Sequence, residues 1–254
     1  MKRNVFRTAV LAFVALTAAA TSVAAEVKVL TAGAFKPVVA AMAPLFEQRT
    51  GHRLTIDSDT AGALAKRIAG GEAFDVAILT TAGIDDQAKG GKVAPGTSMP
   101  VARVGIGVAI KQGSPAQDIG SVAAFQQALL KARAVAMIDP AAGGSSGIYL
   151  SQLFGKMGIA PQMQAKAVLV PGGLTAQKLV SGEADIALQQ ISELMMVPGV
   201  TVLGPIPAEI QNYTVYAGGV GSAARDADAA RAFLAMLAGP EARTVMKDKG
   251  MSAP

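Results

Sequence analysis

Residues 27–79 read VKVLTAGAFKPVVAAMAPLFEQRTGHRLTIDSDTAGALAKRIAGGEAFDVAIL, and this stretch decides the fold. Short β-rich runs at 27–30, 54–56 and 76–79 alternate with runs of helical period at 38–49, 63–69 and, just beyond, 84–90. That order predicts βαβ units and a parallel sheet. Downstream, the apolar run 102–110 shows no preferred face, and a helix at 122–132, a strand at 134–138 and a helix at 148–157 follow. The alternation then starts afresh: strand 165–170, helix 176–181, strands 186–189, 201–203 and 214–220, and closing helices at 227–237 and 241–249. No linker interrupts the series. The expected class is therefore α/β, with two interwoven lobes, each on a mixed, mostly parallel sheet, joined by crossing strands near 103–110 and 213–220. Residues 26–105 and 215–254 would form one lobe and residues 106–214 the other. A single doubly wound domain is the alternative.

The chain has 254 residues, 51% hydrophobic and 16% charged, enough for a sizeable core. It contains no Cys and one His, His52, which excludes disulfides, thiolate catalysis and Cys-based metal sites and leaves little for a His-based one. No metal and no cofactor are expected. Lys2, Arg3 and Arg7 precede an apolar run from Ala9 to Ala20, and Val23-Ala24-Ala25 offers small residues for cleavage, so residues 1–25 read as a signal peptide and the protein as periplasmic. The apolar run is shorter than a bilayer span, and no membrane span is expected after cleavage. Removing the leader lowers the net charge from +5 by three, to +2. The remaining basic residues are scattered and only 4% of residues are aromatic, so nucleic acid is not an expected partner.

Three Gly/Ser/Thr-rich segments fall at strand-to-helix junctions: 58–62 (SDTAG), 143–147 (GGSSG) and 171–175 (PGGLT). Each would cap a helix or turn as a matter of course. Together they suggest more, because free N–H groups and the helix dipole attract anions, and ligands of open α/β sheets bind beyond the strands' carboxyl ends. Thr60, Ser145, Ser146, Gly147, Gly172 and Gly173 are the candidates there. Gln189 and Gln190 end a buried-looking strand and could meet carboxylates or hydroxyls. Catalytic groups are not marked: Glu193, Asp139, Tyr149 and His52 are possible bases by residue type only. His52 reads as an exposed turn residue, Asp139 as a turn-forming Asp-Pro, Asp85-Asp86 as solvated surface, and Met195-Met196 as core filler. Gly105-x-Gly107 lacks the rest of a dinucleotide fingerprint.

The runs VKVLTAGAF, TAGALAKRIAGGEAFDVAIL, DPAAGGSSGIYL and GEADIAL resemble the molybdate-binding-like branch of periplasmic type 2 solute-binding proteins across essentially the whole mature chain. That resemblance implies two lobes closing on an oxyanion held by backbone N–H groups and hydroxyls, with an ABC permease as partner. It places the first binding loop at Thr31, Gly33 and Ala34, the second at Thr60 and Ala61, the third near Ser146, the fourth near Gly172, and an anion-contacting tyrosine at Gln190. Ala34 and Ala61 stand where that branch has serines, so two hydroxyl donors for a tetrahedral oxyanion are missing. Within the branch, LQQISEL (188–194) and SSGIYLS (145–151) are similar to the aconitate isomerases, enzymes on the same fold. Three functions follow as expectations. The first is a receptor for a small anion, a polycarboxylate such as aconitate. The second is an isomerase that interconverts cis- and trans-aconitate by an allylic proton shift. The third is a receptor for molybdate, tungstate or sulfate.

Overall fold

The computed structural model describes residues 24–254, so all of the expected leader but Ala24 and Ala25 lies outside the described residues. In chain order the elements are β1 (Glu26–Ala32), α1 (Lys36–Thr50), β2 (Arg53–Asp59), α2 (Ala61–Ala69), β3 (Val76–Thr80), α3 (Thr81–Lys89), β4 (Met99–Val104) and β5 (Ile106–Lys111). They continue with α4 (Val122–Lys131), β6 (Val135–Ile138), α5 (Ser145–Lys156), α6 (Ala160–Gln164), β7 (Ala167–Val170), α7 (Gln177–Val180), β8 (Ile186–Gln190) and α8 (Ile191–Leu194). The last are β9 (Val200–Pro205), β10 (Thr214–Val220), α9 (Ala227–Leu237) and α10 (Pro240–Asp248).

Local chemistry sets these boundaries. Gly51, at φ 75°, ends α1, and its N–H returns to the Glu47 carbonyl, a left-handed cap open to glycine without strain. The Thr60 and Thr80 hydroxyls accept the N–H groups of Ala63 and Gly83 and so start α2 and α3, each directly at the end of a strand. The strands form two five-stranded sheets, ordered β2-β1-β3-β10-β4 and β7-β6-β8-β5-β9. In each, four strands run the same way and one, β10 in the first sheet and β5 in the second, runs against them. Apolar clusters pack around both sheets, one pair centred on Phe35, Phe46 and Phe233 and on Leu64 and Ile84, the other on Phe125 and Leu150 and on Leu179 and Leu194. The two-lobed α/β architecture is thus observed, and a single doubly wound sheet is not.

The first crossing lies within the run 102–110, where the chain leaves the first sheet at Gly105 and enters the second at Ile106. One expectation is corrected. The second crossing lies between Pro205 and Thr214, ahead of the expected window, since β10 belongs wholly to the first sheet. Gln211 ties the two crossings together: its Oε1 accepts the Ile106 N–H (2.8 Å) and its Nε2 donates to the Ile106 carbonyl (2.9 Å). In the first lobe Asp75, 2% exposed, accepts the N–H groups of Lys28 and Arg225, both at 2.7 Å, which staples β1 to the chain beyond β10. The short helix α8 was not foreseen, and it carries the residue on which the site turns.

Candidate functional site

The carboxyl ends of β1, β2, β6 and β8 face one cleft between the sheets, as the open-sheet rule requires. The cleft encloses about 110 Å³, well beyond the roughly 10–15 Å³ that one water needs. Gly33, Ala34, Thr60 and Ala61 line it from the first lobe, with Ser145, Ser146, Gly173 and Gln190 opposite. The first turns of α2 and α5 both begin at its wall, so their unpaired N–H groups and positive dipole ends favour an anion there. Lys36, on the cleft wall with an exposed side chain, adds a cation. Ile138, Leu174 and Met196 supply apolar surface.

The lobes touch through backbone. Gly62 N–H donates to the Gly143 carbonyl (3.1 Å), and Thr60 Oγ1 donates to the Ala142 carbonyl (2.5 Å). A Cβ on Gly62 would lie 2.7 Å from Gly143 Cα, so the approach exists only because both residues are glycine. A second contact joins Ser192 Oγ to the Ala34 carbonyl (2.8 Å), which docks α8 on the first lobe.

Beside Ser192, the Glu193 carboxyl is buried in the cleft wall. Its Oε1 occupies the gap left by Gly33, where a Cβ would sit 2.6 Å away. The Gln190 amide faces it in the orientation that satisfies every partner: Nε2 donates to Glu193 Oε2 (2.9 Å) and Ser146 Oγ (3.1 Å), while Oε1 accepts from Ser145 Oγ (2.6 Å) and the Ser146 N–H (3.2 Å). Burial pushes the Glu193 carboxyl up to about 8, with a Gln189 amide contact pulling the other way and no cation among the groups acting on it. Across the cleft, Tyr216 is 2% exposed and its phenol is held far above its usual range by burial and by Glu193, with Ser145 opposing.

Four of the anticipated contact residues do not line the cavity. Thr31 is fully buried and donates to the Ala32 carbonyl, and Gly147 lets α5 pack on Ile138. Gln189 accepts from the Thr175 N–H (2.8 Å) and hydroxyl (2.9 Å) and donates to the Gly173 carbonyl (2.8 Å), which shapes the 171–175 loop from behind. Gly172 stands opposite Asp59. Of the possible bases, His52 accepts the Ala25 N–H, Asp139 caps the turn after β6, and Tyr149 donates to the Ile210 carbonyl. Only Glu193 reaches the cavity. Tyr216 and Lys36 went unread: the first looks like strand interior and the second like helix surface. No group of three or more potential metal ligands occurs among the described residues.

The family of bacterial extracellular solute-binding proteins matches residues 27–252. An aconitate isomerase from Pseudomonas sp. is 35% identical over 229 residues, covering 88% of this chain and 86% of that protein. Among solved structures, the periplasmic molybdate-binding protein of Azotobacter vinelandii superposes with a TM-score of 0.76 at 20% identity, over 90% of this chain and all of that one. A sulfate-binding protein from Mycobacterium tuberculosis gives 0.74 at 16% identity, over 90% and 87%. At these identities the two structures speak for the fold alone.

Proposed function

We propose that this chain, which belongs to the family of bacterial extracellular solute-binding proteins, is exported to the periplasm, binds a small polycarboxylate of the aconitate class between its lobes, and interconverts the cis and trans forms. The observation that carries this reading is Glu193, a carboxyl with no cationic partner in a cleft otherwise furnished for anions. A pure anion receptor gains nothing from such a group. A carbon acid needs it, since general bases work best when their pKa lies near the operating pH. With a value of about 8, roughly one molecule in ten is ionised at pH 7.

The step balances without a cofactor. Glu193 takes a proton from the methylene carbon next to the double bond, the electron pair spreads over the three-carbon system, and the Glu193 carboxyl, its proton exchanged with solvent, protonates the far end. The double bond moves by one position, and because the two outer arms of aconitate are alike, re-protonation of the rotated form yields the other isomer. The N-termini of α2 and α5 hold the carboxylates during transfer. The 35% identical isomerase supports the reading, and the methyls of Ala34 and Ala61 on the cavity wall favour a bulkier anion than molybdate.

The test is proton NMR of trans-aconitate with purified protein in D2O. Appearance of cis-aconitate with solvent deuterium, lost in Glu193→Gln, is expected. Binding without conversion or deuterium uptake would leave the receptor reading, in which the closed lobes are presented to an ABC permease; the family match favours that second reading.

A further inference from the structure

We propose that Tyr216 is the donor that receives a carboxylate of the bound anion, reaching from the first sheet across the cleft to the second. The inference rests on the reading of the cleft as a polycarboxylate site and adds a contact to it.

Tyr216 stands in β10 opposite Thr80, the last residue of β3, so the antiparallel strand delivers it to the edge at which the parallel strands end. Its ring belongs to the apolar cluster of the first lobe, which fixes the direction of the phenol. The hydroxyl end faces the other lobe, beside Ser145 and Glu193. Ser145 is already engaged, with Gln190 at 2.6 Å and Thr214 at 3.2 Å. Ser145 can offer the phenol only its second lone pair, and a ligand carboxylate, a charged acceptor, outcompetes that neutral hydroxyl for the phenol's proton. Burial also holds the phenol neutral throughout the working range, so it donates and never repels an anion. The arrangement places one donor from each lobe on the same ligand: helix ends and amides from one side, the phenol from the other. A ligand with at least two carboxylates can satisfy both. A monocarboxylate cannot.

The experiment is calorimetric titration of the wild type and Tyr216→Phe with tricarballylate, a saturated tricarboxylate that has no double bond to move, with the unliganded melting point measured in parallel. Loss of one hydrogen bond to a charged group lowers affinity roughly tenfold to a hundredfold. The melting point of the unliganded variant is expected to stay within about 1–2 °C of wild type, because Phe keeps the ring in the apolar cluster and loses only the contact with Ser145. An unchanged affinity overturns the proposal, and so does an affinity loss matched by a fall in the unliganded melting point, which would mark a structural phenol. Should the variant fail to fold, the near-ultraviolet tyrosine difference spectrum of the wild type on adding tricarballylate decides, since neither Tyr149 nor Tyr213 lines the cleft. No perturbation there overturns it. A wild type that binds only sulfate or molybdate refutes the polycarboxylate reading separately, and Tyr216→Phe titrated with that oxyanion still decides the role of Tyr216.

Discussion

Gly62→Ala separates closure of the lobes from their folding. Gly62 is the second residue of α2, where alanine is the better helix former by up to about 1 kcal/mol, so the separated lobes gain stability or lose none. In the closed form the new Cβ lies 2.7 Å from Gly143 Cα, 2.8 Å from its carbonyl oxygen and 3.2 Å from its carbonyl carbon, all backbone atoms that cannot rotate away. Ordinary contact begins at 3.4 Å, so the lobes must part by about 0.7 Å. That strains the Gly62–Gly143 bond at 3.1 Å and the Thr60–Ala142 bond at 2.5 Å, each worth about 0.5–1.5 kcal/mol. The closed state loses about 1–3 kcal/mol. Because a ligand held by both lobes binds that state alone, its affinity falls about 5- to 150-fold. The assay is calorimetric titration with the anion that most raises the melting point, with the unliganded melting point measured alongside. Gly155→Ala, also within a helix but with open space around it, is the matched control and should leave affinity unchanged. Full affinity in Gly62→Ala would refute the claim that the two glycine backbones must meet for the ligand to be held.

Glu193→Gln should cut isomerisation by about 10²- to 10⁴-fold in an NMR turnover assay while leaving the affinity for tricarballylate within a few-fold. The same residue sets a pH dependence. Its folded value, about 8, lies above the ordinary carboxyl value, so the folded chain holds a proton that the unfolded chain has released. The stability it contributes is complete below about pH 4.3 and is lost as pH rises to about 8; the melting point of the wild type should fall across that window, and the Gln variant should show a flatter profile. Asp75→Ala removes the acceptor of two partly buried N–H donors, at about 0.5–1.5 kcal/mol each, so a melting-point drop of several degrees with unaltered affinity for the remaining folded protein is expected. Ser146→Asp puts a second carboxyl at the start of α5 beside Gln190 and should abolish anion binding in a thermal-shift titration while the circular dichroism spectrum stays native.

The fold was legible because period-2 and period-3.6 runs alternate cleanly from Val27 onward, and the capping residues Thr60, Ser121 and Asp226 mark three helix starts. The second crossing was harder: Tyr213–Val220 reads as one apolar run, and only the pairing of β10 with β3 and β4 puts all of that strand in the first sheet. The glycine-rich loops gave the cleft its walls, since N-caps announce themselves in sequence. Residues inside strands did not, because Gln189 and Gln190 alternate faces, and local order cannot say which one meets the ligand. Tyr216 and Glu193 come together only through the return of β10 beside β3 and the docking of α8 on the first lobe, both long-range events with no local mark.

The place of β10 also governs the order in which the chain can assemble. It lies between β3 and β4, yet some 110 residues separate Val104 from its partner Thr214. Joining ends that far apart in a flexible chain costs about 4 kcal/mol of loop entropy before a single β10 bond forms. The intervening second sheet is built from one contiguous segment, β5 to β9, and can form on its own. Once it has, the Gln211 amide on Ile106 brings the two crossing segments side by side, and the first sheet closes as if the loop were short. A newly made chain therefore carries β3 and β4 as open edges until its middle segment has folded. Kinetic vulnerability to aggregation is concentrated in that interval, and weakening the second lobe would lengthen it even where the first lobe's own contacts are intact.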